Sequence, residues 1–118
     1  MLRLSPSPKV YLAAGATDLR NNIDGLLILI EKQLKLNPFD SCLFVFCNRK
    51  RDKLKILFWD NNGFWLYYRR LESGHFLWPD KKSTSSMAVT EQQLSWLLDG
   101  LSIDQEGAHK AFTGRKIT

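Results

Sequence analysis

Residues 43–79 alternate short apolar runs with turn-forming residues, and no other feature of the chain constrains its fold as strongly. The runs are rich in Phe, Val, Ile, Trp and Tyr, which are the residues favoured in β-strands. Asn62-Gly63 and Ser73-Gly74 can supply the positive φ angles of tight hairpins, and residues 48–52 form a longer polar loop. The segment therefore predicts a four-strand antiparallel meander.

Two stretches with helical periodicity flank the meander. A strand is predicted at residues 9–13, and Thr17 or Asp18 can cap a helix that runs to about Leu36. Thr90 opens a second helix, with Gln93 placed for a capping box. The predicted fold is a single α+β domain over residues 1–101, an antiparallel meander of four to five strands with one face covered by two amphipathic helices. Residues 102–118 are predicted to be a loosely ordered tail.

Turn lengths divide the meander into two faces, because successive side chains of a strand alternate. A two-residue turn at Asn62-Gly63 and a four-residue turn at residues 60–63 assign the same faces. The predicted core face carries Phe44, Phe46, Leu54, Ile56, Phe58, Trp65, Tyr67, Leu71, Phe76 and Trp78, with Arg69 as an exception. The predicted open face carries Lys53, Lys55, Leu57, Trp59, Leu66, Tyr68, Arg70, Glu72 and His75.

The predicted open face is both basic and aromatic. Residues 42–72 hold seven Lys and Arg against three Asp and Glu, which is +4 of the formal +5 of the whole chain. Cations neutralise phosphates and rings stack on bases, so the pattern favours nucleic acid. The candidate binding residues are Arg49, Lys50, Arg51, Lys53, Lys55, Trp59, Tyr68 and Arg70. An ordinary solvent-exposed face, with lysines that keep the sheet edges from aggregating, also accounts for this pattern. So does a protein interface that covers Leu57, Trp59 and Leu66.

Catalytic, metal and export signals are weak in this sequence. The acids that a two-metal nuclease would need are explained by helix caps and turns. Cys42 and Cys47 lack metal-ligand spacing and are predicted to be buried thiols of a cytoplasmic protein. No basic-then-apolar leader precedes residue 10, and the apolar run at residues 26–30 is too short to cross a bilayer. No catalytic residue, metal or cofactor is expected.

The order and spacing of many residues resemble a known family, over roughly residues 10–101. The matching residues are Val10, Tyr11, Gly15, Thr17, Asp18, Arg20, Ile23, Asp24, Gly25 and Leu26, followed by Phe44, Val45, Phe46, Asn48, Arg49, Arg51, Asp52, Lys55, Trp59, Asp60, Gly63, Phe64, Trp65, Leu66, Arg70, Leu71, Gly74, Phe76, Trp78 and Pro79. The chain resembles the small accessory proteins, called TnpB, of bacterial insertion sequences of the insertion-sequence-66 type. Asn21-Asn22 departs from that pattern, which has a basic residue and then a small one.

The resemblance implies a non-catalytic accessory protein for DNA transposition. Its implied partners are a large transposase and a second small protein of the same element. The residues add a candidate mechanism, in which the basic sheet face contacts DNA backbone with weak sequence preference. The alternatives are a protein-interaction module that binds the transposase without contacting DNA, and a small metal-dependent nuclease.

Overall fold

The computed structural model describes residues 8–104, and in this range the chain forms a five-stranded sheet and two helical segments. The strands are β1 (Lys9–Ala13), β2 (Cys42–Cys47), β3 (Lys53–Asp60), β4 (Gly63–Arg70) and β5 (Ser86–Val89). Helix α1 (Ile23–Leu29) continues into a π-helical segment (Ile30–Leu34), and α2 spans Glu91–Leu98. The strand order is β4-β3-β2-β1-β5. The chain is thus α+β, as the sequence predicts.

The sheet is mixed, so the prediction of a purely antiparallel sheet is wrong. β1 pairs with β2 in parallel, while the other three strand pairs are antiparallel. A parallel connection needs a long crossover, which α1 and its π-helical extension provide. Strands β2, β3 and β4 do form a meander, but the predicted fourth strand is absent: residues 71–79 are irregular and still bury Phe76 and Trp78.

The register between β2 and β3 differs by one residue from the predicted one, and this changes which side chains share a face. Asn48 closes the loop because its Oδ1 accepts hydrogen bonds from the backbone N–H groups of Asp52 (3.1 Å) and Lys53 (3.0 Å). Arg51 completes the turn with a φ of 62°. Cys47 therefore pairs with Leu54. The slip by one residue moves every β2 side chain to the opposite face from the predicted one.

Both faces of the sheet carry a buried core. On one side, here called the α2 face, α2 residues join the strand residues; the cluster is Val10, Leu12, Leu43, Val45, Cys47, Leu54, Phe58, Phe76, Trp78, Val89, Leu94 and Leu97. On the other, here called the α1 face, the cluster is Ala13, Leu26, Ile30, Leu34, Cys42, Phe44, Phe46 and Leu57. Adjacent residues of a strand point to opposite faces, so the helices pack on opposite sides. The expectation that both cover one face is not confirmed.

The helix ends follow from local hydrogen bonds. Thr90 Oγ1 accepts from the N–H of Gln93 (3.0 Å) and Gln93 Oε1 accepts from the N–H of Thr90 (2.9 Å), which confirms the predicted capping box. α1 begins at Ile23, later than predicted, because Asp18 is engaged by Arg20 in the preceding loop. Of the predicted tail, Ile103 packs against the core of the α2 face, and residues 105–118 lie outside the described residues. No helix within residues 8–104 is long and apolar enough to span a membrane.

Candidate functional site

A basic groove of about 510 Å³ opens between the loop that follows β1 and the loop between β2 and β3. We call it the basic groove; its lining residues are Ala16, Thr17, Asp18, Leu19, Arg20, Asn48, Arg49, Lys50 and Lys53. Four of these nine side chains are basic and one is acidic. Three of the predicted nucleic-acid-binding residues, Arg49, Lys50 and Lys53, are therefore brought together here.

Backbone contacts fix the two walls of the basic groove against each other. The N–H of Thr17 donates to the carbonyl of Cys47 (2.8 Å), which joins the loop after β1 to the end of β2. Thr17 itself is buried. On the opposite wall, Asn48 Nδ2 donates to Asp52 Oδ1 (2.7 Å), and this hydrogen bond lowers the pKa of the Asp52 carboxyl. The groove is thus bounded by ordered loops.

Asp18 and Arg20 form an exposed ion pair at one wall. Arg20 Nη2 lies 2.7 Å from Asp18 Oδ2, and Arg20 Nε lies 3.0 Å from Asp18 Oδ1. The hydrogen bonds from Arg20 lower the pKa of Asp18 to about 2, so this carboxyl is ionised at neutral pH. The charges of Asp18 and Arg20 cancel each other, so the net positive charge of the groove comes from Arg49, Lys50 and Lys53.

Lys55 lies inside the protein, so the expectation that it is at the surface is wrong. It is only 9% exposed, and its Nζ donates to the backbone carbonyls of Leu19 (2.6 Å) and Asn21 (2.8 Å). These carbonyls flank Arg20 in the chain. Lys55 therefore holds the loop that carries Arg20 onto the α1 face, and its ammonium group does not reach the groove as a phosphate ligand.

The other predicted basic residues lie at the margin of the basic groove or away from it. Arg70 is exposed, pairs in register with Lys53, and contacts Glu72 through a 2.9 Å ion pair. Tyr68 is exposed on the same face of β4. Arg51 turns to a different cavity, where its Nη2 lies 2.6 Å from Asp80 Oδ1.

Trp59 lies far from the basic groove. It is half-buried against Phe39 and Phe64, with ring centroids 5.0 Å from each. Six residues of extended strand separate Trp59 from Lys53, which is about 20 Å at the usual rise per residue. The single basic and aromatic surface predicted from the sequence is thus divided. The predicted protein interface is also divided, because Leu57 is fully buried under α1.

Sequence reasoning missed the contribution of Thr17, Arg20 and Asn48 to this site. Asn48 had a detectable signal, since Asn at the start of a polar loop commonly accepts hydrogen bonds from backbone groups ahead of it. Arg20 had none, because its approach to the loop between β2 and β3 depends on the parallel pairing of β1 with β2. Within residues 8–104, no group of three or more His, Cys, Asp or Glu is placed to hold a metal ion.

Comparison with known proteins finds matches along most of the chain. The profile of the family described as "IS66 Orf2 like protein" matches residues 8–108. The uncharacterized protein y4hO of Sinorhizobium fredii is 38% identical over 101 residues, which cover 86% of this chain and 87% of the relative. The uncharacterized protein y4jC of the same organism is 30% identical over 101 residues, with 86% of each chain covered. No solved structure matches at a significant level.

Proposed function

Because the chain belongs to the family of IS66 Orf2-like proteins, we propose that it is a non-catalytic accessory protein of transposition whose basic groove binds the phosphate backbone of DNA. The family itself points to a transposition-associated accessory role. The positive charge of the basic groove supports the proposed contact with DNA. The proposed phosphate-binding residues are Arg49, Lys50 and Lys53, together with Arg70 at the margin of the groove.

The observation that carries the proposal is the availability of three cations at one place. Among residues 8–104, Arg49, Lys50 and Lys53 make no ion pair, whereas Arg20, Arg51 and Arg70 each contact a carboxylate. A phosphate that binds the unpaired cations displaces no internal partner, so the full gain from counterion release goes to binding. Contacts to phosphate carry no direct sequence information, so we expect weak sequence preference.

A charge-reversal experiment tests the contact. Arg49→Glu combined with Lys50→Glu should weaken binding to every duplex sequence by about tenfold or more, since both contacts become repulsive. The matched control is Lys81→Glu combined with Lys82→Glu, which makes the same change in net charge at exposed positions that do not line the groove. Fluorescence anisotropy with duplexes of unrelated sequence measures both variants.

The control separates a local site from a general effect of net charge. Equal loss in the two double variants would mean that total charge, and not the basic groove, governs binding, and would refute the proposed site. Undetectable binding of the unmodified protein at low ionic strength would refute it as well.

The alternative is a protein-interaction module that binds the large transposase of the element and does not contact DNA. Exposed rings on β4, including Trp65 and Tyr68, favour a protein contact somewhere on this chain. Co-purification with the transposase in the presence of a nuclease distinguishes the two functions. Capture that survives both the nuclease and the Arg49→Glu, Lys50→Glu change, without any DNA binding, would favour the alternative.

A further inference from the structure

Strand β4 forms an open edge of the sheet with an unusual composition. It pairs with β3 on one side, and within residues 8–104 no strand lies on its other side. Alternate backbone N–H and C=O groups of an edge strand point outward and are ready to pair with another strand. β4 is eight residues long, contains no proline, and is mostly exposed.

Large aromatic side chains lie on both faces of the sheet at this edge. Trp65 (47% exposed) and Tyr67 lie on the α2 face beyond the area that α2 covers, and Tyr68 (55% exposed) lies on the α1 face. The Trp65 and Tyr67 rings are stacked, with centroids 6.3 Å apart and planes 5° from parallel. Trp65 Nε1 also donates to Asp60 Oδ2 (3.0 Å). The rings are therefore pre-ordered on the strand, and less side-chain freedom is lost when a partner covers them.

We propose that β4 pairs with β4 of a second copy of this chain, antiparallel about a twofold axis, so that two five-stranded sheets join into one. The charge distribution along the hairpin supports this partner. Arg69 and Arg70 lie at the end of β4, while Asp60 lies at the opposite end of the hairpin, next to its turn. Antiparallel pairing brings the arginines of each copy toward the acidic turn of the other. Parallel pairing would instead place the four arginines side by side.

The composition of β4 lacks the features that keep an edge strand from pairing with another chain. Edge strands that avoid pairing are short, carry charges or proline along their length, or are covered. In β4 the two charges lie together at one end, and the four central positions are Trp65, Leu66, Tyr67 and Tyr68. A twofold axis passes through such a central segment, where burial of the rings on both copies contributes most to association.

Sedimentation of the full chain over a range of concentrations tests the proposal. We expect a dimer whose population rises with concentration. Trp65→Lys should raise the dissociation constant of this dimer by about tenfold or more, because each substitution occurs twice in a symmetric interface. Ile28→Lys is the matched control, because Ile28 is a similarly exposed apolar side chain on α1, away from this edge. Circular dichroism checks that both variants are folded.

A second measurement keeps the test decisive if Trp65→Lys disturbs the fold. A short thiol-to-thiol cross-linker should join two copies of the Trp65→Cys or Tyr67→Cys protein covalently, and it should leave the chains of Ile28→Cys unlinked although they still associate. The native thiols of Cys42 and Cys47 are buried and do not compete. A chain that is monomeric at all concentrations overturns the proposal, as does a dimer that Trp65→Lys leaves unchanged. A monomer whose β4 edge binds an acidic peptide, or is shielded by another segment of the same chain, overturns it too.

Discussion

Replacing Lys55 with methionine isolates the contribution of one buried ammonium group to the fold. Methionine keeps an unbranched apolar side chain of similar reach, so Lys55→Met removes the two hydrogen bonds to Leu19 and Asn21 with little loss of packing. Hydrogen bonds from a charged donor contribute about 1.5–3 kcal/mol each, two bonds from one ammonium group contribute less than twice that, and the entropy cost of ordering the side chain is similar for Lys and Met and cancels. We therefore expect the free energy of unfolding to fall by about 2–4 kcal/mol.

Urea unfolding measures this change, and Lys53 supplies the control. A loss of that size lowers the unfolding midpoint by about 1–3 M at the usual dependence on urea. Lys53 lies two residues earlier on the same face of β3, but it is more exposed and makes no ion pair among residues 8–104. Lys53→Met should change stability by less than about 0.5 kcal/mol while weakening DNA binding. Equal effects of the two substitutions on stability would refute the assigned role of Lys55.

Three further outcomes follow from burial and charge. Phe76→Ala should cost about 3–5 kcal/mol of unfolding free energy, because Phe76 fills the core of the α2 face although its segment is irregular, while exposed Leu77→Ala should be nearly neutral; denaturation of both variants checks this. The Asp18 carboxyl should titrate in NMR near pH 2, and near 3.8 in Arg20→Gln; because the folded-state pKa is the lower one, the pair stabilises the fold above about pH 4 and loses its effect as the pH falls through 2. Cys47 should resist a thiol reagent at pH 8 until the protein unfolds, because burial raises its pKa to about 11.

The sequence predicts local features of this fold well and the relation between strands less well. The capping box at Thr90 and the placement of Phe58 and Trp65 on one face both follow from short patterns, although the exact partners across β3 and β4 do not. The strand β5 was missed, because residues 81–86 resemble a polar connector and residues 86–89 are too few for a clear alternation. Its existence depends on the edge that β1 offers, which no local pattern encodes.

A single turn explains most of the errors in the candidate site. The side chain of Asn48 holds the loop between β2 and β3 in a turn that shifts the strand register by one residue, and this shift places Phe44 and Phe46 on the face that holds Lys55. That face is therefore apolar and packs against α1. Lys55 is buried beneath the loop that precedes α1. The rings of Trp65 and Tyr67, predicted to be core, lie beyond the reach of α2 on the edge strand and remain exposed. Their alternation is correct, but alternation does not report which strands lie at the edge.

The salt dependence of DNA binding tests the central claim most directly. With Arg49, Lys50, Lys53 and Arg70 as the contacts, log–log plots of affinity against salt should have a slope of about −3 to −4 on duplex DNA. Arg49→Ala combined with Lys50→Ala should make the slope shallower by about 2, because each lost phosphate contact removes about 0.9. A slope near zero, or a slope that this double substitution leaves unchanged, would contradict phosphate binding by the basic groove.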